Sequence, residues 1–529
     1  MFDIFLWVLL VGLLAYPAFI RFWELRDKRQ EGFSLAADWL WTAPRVINLL
    51  IGGAVVFYLL THQHGHALMA LVVYYVFHAA LGNPYHEDKA GNEKVRRGSR
   101  VVEAAQLNAM TSGNGNGSGN GKTKANSAAQ TSSDSAIRIG GVTIPRALEA
   151  QHFLISGTTG SGKTQVINAM LRTIRQRGQR AIIADAGGGF FARFGKPGDV
   201  LINPFDQRTA AWSPFAEIRA DYDCERIAKA IIPDLEGGES AQWQLFAQVL
   251  LAKALLSMHR NRERSLKRLL YWMGAADQKA LEPLLAGTPA AVLCQKGNDK
   301  MLNNMRATMM PYLSVFDYMA DDGDFSIRQW VQEDWKPDWL FLTYRDDQMG
   351  MLKNLVAACL EMAIVEGLSL SEDQERGLWY AFDELDSLGK ISSLRAALTK
   401  LRKYGGRCIL GIQTISQLRS TYGRNEAQTL LACTSVKCIL RAGDSETAKS
   451  MEQELGEQEI ERTHISETSG DSFNESTSTQ IVRQSAVLSS ELTGLPDLQG
   501  YLKIPGDEIA KIRIDYVKMD DVNPAFIHQ

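Results

Sequence analysis

Gly157-Thr158-Thr159-Gly160-Ser161-Gly162-Lys163-Thr164 fills every fixed position of the phosphate-binding P-loop spacing, Gly-x4-Gly-Lys-Thr. The apolar run His152-Phe153-Leu154-Ile155-Ser156 precedes it and reads as a buried strand. The stretch Gln165 to Arg172 follows with helical periodicity. Glycines at these positions let backbone N–H groups turn inward around phosphates, and a helix N-terminus adds partial positive charge. In that chemistry Lys163 neutralises β- and γ-phosphate oxygens, and the Thr164 hydroxyl ligates Mg²⁺. The whole loop, from Gly157 through Thr158, Thr159, Gly160, Ser161 and Gly162 to Lys163 and Thr164, is therefore the expected cradle for ATP.

Working outward, a second signature is Leu378-Trp379-Tyr380-Ala381-Phe382-Asp383-Glu384, an apolar strand ending in two acids. Phosphoryl transfer needs one carboxylate in the Mg²⁺ shell and another to orient or deprotonate the attacking water. Asp383 suits the first role and Glu384 the second. Gln413 ends the next apolar run, where it reads either as a sensor of the γ-phosphate or attacking water, or as a polar cap at a strand exit. Arg402, between those two strands, reads either as a trans-acting finger on a neighbouring subunit's nucleotide or as solvated helix charge. Asp185 ends the Ala181 to Asp185 run, before three glycines, and either approaches the nucleotide or marks a plain turn.

Strand-like runs recur at residues 153–156, 181–185, 200–203, 339–343, 378–382, 408–412 and 436–440. Apolar and without alternation, they imply a largely parallel sheet covered on both faces. Between residues 216 and 324 the strand pattern gives way to helical runs, such as Trp243 to His259 and Leu266 to Met273. That interval reads as an all-helical insertion. Within it Arg260, Arg262, Arg264, Lys267 and Arg268, beside Tyr271 and Trp272, suit either DNA contact or a solvated face, and Lys296, Lys300 and Arg306 form a second basic set. Residues 466–480, rich in Ser, Thr, Gly and Asn, read as a mobile loop, with short strands at 501–504 and 512–517.

A chain of 529 residues exceeds one ordinary domain, and its formal charge of -3 argues neither for nor against nucleic acid. Its six cysteines show no CxxC spacing and read as reduced residues facing a cytoplasm. The first eighty residues carry three uncharged apolar runs, at 4–20, 46–60 and 67–81, each near or just under bilayer length. Arg21, Arg26, Lys28, Arg29 and Arg45 follow the first run, and Lys89, Lys94, Arg96, Arg97 and Arg100 follow the third. Both basic segments prefer the cytoplasmic side. His62, His64 and His66 in the outer loop read as solvated turn residues or, less simply, a metal site.

The expected organisation is a transmembrane anchor of two or three helices with a basic juxtamembrane segment (1–103) and a flexible Gly/Asn/Ser linker (104–136). A nucleotide-binding domain follows in two parts (137–215 and 325–529) around the helical insertion (216–324). The runs and basic segments lead to a multi-pass membrane location with the ATPase part cytoplasmic; that the membrane is the bacterial inner membrane is what the family resemblance described next implies.

Taken together, the anchor, the P-loop, the insertion, Phe382-Asp383-Glu384-Leu385 and Gln413-Thr414-Ile415-Ser416-Gln417-Leu418 resemble the conjugative type IV secretion coupling proteins of TrwB/TraD type. The resemblance extends through residues 203–208, 322–328 and 495–498. It implies a RecA-like P-loop ATPase core, hexameric, that links relaxosome proteins to inner-membrane components of the secretion channel and moves single-stranded DNA. It also implies that Lys163, Thr164, Asp383, Glu384, Gln413 and Arg402 hold the roles above. Two rival readings stay open: a septal-type double-stranded DNA translocase, and a nucleotide-gated receptor for protein cargo.

Overall fold

The computed structural model describes residues 94–111, 136–234, 238–468 and 474–529. The three apolar runs, the histidine loop and most of the expected linker lie outside the described residues. Among the described residues no helix is long and apolar enough to cross a membrane. The chain divides into two units, residues 1–91 with 464–478, and residues 92–463 with 479–529. The second carries everything described below except the parts of β12 and β13 that fall within residues 464–478.

Fifteen strands are described: β1 Lys94–Gly98, β2 Arg100–Glu103, β3 Arg138–Ile139, β4 Val142–Thr143, β5 Phe153–Ser156, β6 Arg180–Ala186, β7 Val200–Ile202, β8 Trp339–Tyr344, β9 Leu378–Phe382, β10 Gly406–Ile412, β11 Val436–Ile439, β12 Glu457–Thr468, β13 Asn474–Ser485, β14 Gln499–Lys503 and β15 Glu508–Arg513. Ten of them form one sheet in the order β2-β15-β14-β11-β5-β10-β9-β6-β8-β7. The pairs from β11 to β7 are all parallel. Strands β5, β9 and β10 are buried along their whole length because both faces are covered. Successive side chains point to opposite faces, so Leu154, Ile182, Leu342, Phe382 and Leu410 feed one core cluster, and Phe153, Ile155, Ile183, Phe341 and Ile409 feed the other. The helix Lys163–Gln176 covers the second face through Val166, Ile167, Met170, Leu171 and Ile174, a stripe at helical spacing.

Between β7 and β8 the described residues form helices and turns, chiefly Asp223–Ile231, Gly238–Arg260, Gln278–Leu285 and Asp299–Leu313. This lobe leaves and rejoins the sheet at one neck. Trp212 and Phe325 pair in an isolated bridge, and the buried Glu217 carboxylate accepts from Trp212 Nε1 at 2.7 Å and Ile327 N at 2.7 Å.

Three expectations differ from the structure. Lys94 to Arg100 of the basic segment expected beside the membrane, and the start of the expected linker, belong to the second unit. Strand β2 pairs with β15, β1 pairs with β12, and Ala104–Thr111 is a helix that buries Leu107. Charge dominates the reading of Lys94 to Arg100, whereas Val102 and Leu107, both buried, decide the outcome. Within residues 466–480, expected to be a loop, the described residues 466–468 end β12 and 474–480 begin β13, and these two strands form a three-stranded sheet with β1. Serine and threonine are as compatible with a paired strand as with a loop once a partner strand is available, and β-branched threonine favours it. The strand expected at 512–517 is shifted back to Glu508–Arg513, where it forms an antiparallel hairpin with β14 and extends the sheet. All six cysteines are unpaired, and Cys224, Cys359, Cys408 and Cys438 are buried.

Candidate functional site

The site lies at the C-terminal ends of β5, β9 and β10, where parallel strands release their loops toward a helix N-terminus. Strand β10 pairs with β5 on one side and β9 on the other. Gln413 therefore emerges between the P-loop and the acidic pair. A cleft of about 420 Å³ opens there, lined by the P-loop, Asp383, Glu384, Gln413, Asp497 and Tyr516.

The loop is held from both sides. Thr158 N donates to Arg441 O at 2.8 Å and Gly157 N to Ile412 O at 3.2 Å. Gly162 begins the helix at φ 113°, which favours glycine, and a Cβ there would meet Leu498 Cδ2 at 2.9 Å. Gln165 N and Val166 N already donate to Gly162 O at 3.0 and 3.2 Å, which leaves the N–H groups of Lys163 and Thr164, both lining the cleft, as the unmatched donors of the first turn. Lys163 is buried, its Nζ donating to Gly157 O at 2.6 Å. Burial lowers its pKa from the ordinary lysine value, opposed by the charges of Glu384, Asp383 and Asp386. Thr164 follows in the first turn.

Asp383 and Glu384 leave β9 side by side. Burial, followed by the Glu384 charge, pushes the Asp383 carboxyl up to about 7. Burial also raises Glu384, opposed first by Lys163. Gln413 Nε2 donates to Glu384 Oε1, and Thr159 Oγ1 donates to Gln413 Oε1 at 3.3 Å. Strands β9 and β10 approach so closely that a Cβ on Gly411 would lie 2.1 Å from Asp383 O. Two acids drawn toward their protonated forms beside a buried lysine suit a divalent cation and a polyanion, because bound charge removes what burial penalises. The residues fit Mg²⁺ at Thr164 and Asp383, with the phosphates of ATP in the loop.

The structure brings together Gly157, Thr158, Thr159, Gly160, Ser161, Gly162, Lys163, Thr164, Asp383, Glu384 and Gln413. It sets Arg402 apart: exposed in the turn Leu401–Tyr404 before β10, while Gln413 follows β10. Seven strand residues, roughly 20 Å, separate the two. Asp185 caps the helix Gly189–Phe194, accepting from Phe190 N at 3.1 Å and Phe191 N at 2.7 Å. In the insertion, Arg260 pairs with Asp221 at 2.6 Å and Arg268 with Glu263 at 2.8 Å. The Arg268 guanidinium also lies 4.7 Å from the Trp272 ring centroid. Arg306 donates to Trp272 O at 3.1 Å and serves the fold of the lobe.

Sequence reasoning missed Asp386, Asp497 and Tyr516. Asp386 stands three residues after Asp383, but the sequence gives no sign of what it touches. Asp497 lies in the 495–498 stretch of the resemblance but carried no site role there, and nothing local marks Tyr516; both arrive from the C-terminal part of the chain.

A P-loop strand separated from an acidic strand by one strand bearing a polar exit residue defines the RecA-like class of nucleotide-binding ATPase. Residues 136–515 match the family described as type IV secretion-system coupling protein DNA-binding domain. Coupling protein TraD of Escherichia coli K12 is 32% identical over 406 residues, 74% of this chain and 56% of that relative. The chain thus spans little more than half of that relative's length. Among solved structures, the unbound bacterial conjugative coupling protein TrwBdeltaN70 is 34% identical with a TM-score of 0.72, covering 82% of this chain and 97% of that one. The plasmid coupling protein TrwB in complex with ADP and Mg²⁺ is 34% identical with a TM-score of 0.71, covering 85% and 99%. The chain belongs to the type IV secretion-system coupling protein family.

Proposed function

We propose that this chain is the coupling ATPase of a conjugative type IV secretion system. In this reading it sits in the bacterial inner membrane as a multi-pass protein with its ATPase part in the cytoplasm, and assembles as a homo-hexamer. It receives single-stranded DNA with relaxosome proteins and drives that DNA toward inner-membrane components of the channel through DNA-stimulated ATP hydrolysis. The observation that carries the reading is the convergence of Lys163, Asp383, Glu384 and Gln413 on one cleft in a chain of this family.

In the reaction, Lys163 turns from Gly157 O to the phosphate oxygens, and the helix N–H groups after Gly162 cradle them. The Thr164 hydroxyl and Asp383 carboxylate would hold Mg²⁺, which when bound would offset negative charge on the phosphates. Glu384 accepts the proton of the attacking water, and Gln413 fixes the Glu384 carboxylate from one side while hydrogen-bonding Thr159 on the other. Arg402, remote from its own cleft, acts on the neighbouring subunit's site.

Plasmid transfer between cells tests this reading. Lys163→Ala and Glu384→Gln chains, expressed at the level of the natural chain, are expected to abolish transfer. Normal transfer by Lys163→Ala would overturn the motor and favour a nucleotide-gated receptor of protein cargo.

A further inference from the structure

The loop that carries Gln413 leaves β10 beside the carboxylate of Asp386. Asp386 sits in the short turn Leu385–Ser387 after the acidic strand, almost fully buried. Its Oδ2 accepts from Gln413 N at 3.0 Å and from Thr414 N at 3.0 Å. The turn itself is tied down, Ser387 N and Oγ donating to Glu384 O at 3.2 and 2.8 Å. Two consecutive N–H groups at the exit of β10 are thus held by a single carboxylate oxygen on the exit of β9.

We propose that Asp386 is a positioning residue for hydrolysis: it clamps the Gln413 backbone and thereby aims the Gln413 side chain at Glu384. Gln413 and Thr414 are half-buried, and an N–H shielded from water and left without an acceptor is costly, so the clamp favours the loop conformation that satisfies both amides. In that conformation the Gln413 amide bridges Glu384 and Thr159 of the P-loop. The acid thereby ties the strand that carries the catalytic carboxylate to the loop that carries the phosphates. The other oxygen, Oδ1, is buried without a hydrogen-bond partner. An asparagine that keeps its oxygen on the two amides therefore loses no acceptor the site uses. Alanine loses both.

This inference rests on the ATPase reading, yet its first test does not need turnover. In the full chain, purified in mild detergent without nucleotide, hydrogen exchange is followed for peptides containing Gln413 and Thr414. Asp386→Ala is expected to speed exchange there at least tenfold and leave peptides of β5 and β6 unchanged. Asp386→Asn is expected to match the natural chain, and decides the matter even where the alanine variant does not fold. Turnover supplies the second reading: Asp386→Ala lowers kcat at least tenfold with half-saturating ATP changed less than threefold, and adds nothing to Gln413→Ala. Non-additivity of this kind marks residues acting through one another, whereas a merely structural loss adds to Gln413→Ala. Unchanged exchange in Asp386→Ala, loss in Asp386→Asn as large as in alanine, or additive losses with Gln413→Ala would each overturn the proposal. A natural chain that does not hydrolyse ATP would instead overturn the functional reading, and the exchange result would stand apart from it.

Discussion

The side-chain amide of Gln413 donates to the carboxylate of Glu384 across the gap between β10 and β9. A carboxylate that must take a proton from water works only when its free oxygen faces that water, and this contact fixes which oxygen is free. Glu384→Gln is therefore expected to lower kcat by about 100-fold or more while ATP binding persists. Gln413→Ala, which frees Glu384 to rotate without removing it, is expected to fall less. Turnover together with fluorescent-nucleotide binding distinguishes the two. Equal losses in both variants would show that Gln413 does more than orient its partner.

The separation of Arg402 from Gln413 by the length of β10 predicts complementation between inactive subunits. Arg402→Ala supplies an intact Glu384, and Glu384→Gln supplies an intact Arg402. Mixed before assembly, the two inactive chains are expected to recover measurable ATP hydrolysis. If mixtures stay as inactive as either parent, Arg402 does not act between subunits.

At the N-terminal ends of the central strands β5 and β10, a buried acid holds two arginines. Glu149 is fully buried and receives Arg177 through two hydrogen bonds of 2.9 and 3.0 Å, with Arg407 Nε at 3.6 Å. Removing the acid leaves two buried guanidinium groups short of their partner, a loss of about 3–5 kcal/mol. Glu149→Ala is expected to lower the melting temperature by several degrees, measured by thermal unfolding. A melt within a degree of the natural chain would show that water or relaxation compensates.

Asp185 and Asp383 predict how stability depends on pH. Burial pushes each carboxyl up to about 7 from an ordinary value near 3.8. With the folded value above the unfolded one, the folded state holds more protons between those values. The contribution is full below about pH 4 and is lost as pH rises through about 7. The nucleotide-free chain is expected to lose melting temperature between pH 5 and 7.5, and Asp185→Asn to flatten that slope. An unchanged slope in the variant would remove Asp185 as a cause.

The sheet places a boundary where composition suggests none. A chain beginning at residue 136 lacks β2, its pairing along β15 and the buried Val102 and Leu107. A chain beginning at residue 92 keeps them. Burial of Leu107 alone is worth about 1.5–3 kcal/mol, so the shorter chain is expected to melt lower. Equal melting would mean that the edge strand contributes little to the core.

Legibility in the sequence followed burial. Strands β5 and β9 were visible residue for residue because a strand covered on both faces must be apolar throughout. The P-loop and the Asp383-Glu384 pair were visible because phosphate chemistry allows few residue types at those positions. The edge strands β1 and β2 were hidden, since exposed positions admit Lys and Arg and mimic a basic segment beside a membrane. Strands β12 and β13 were hidden because serine and threonine suit loop and strand alike. Asp386 was hidden for a different reason: its role depends on which strand lies beside β9, and only the sheet order brings Gln413 and Thr414 within its reach.

The central claim, a DNA-coupled motor, is tested most directly by ATP hydrolysis of the full chain with and without single-stranded or duplex DNA, beside Lys163→Ala and Glu384→Gln. The account predicts turnover that rises with single-stranded DNA more than with duplex and is lost in both variants. Nucleotide binding with turnover indifferent to DNA, or turnover that survives Lys163→Ala, would contradict it.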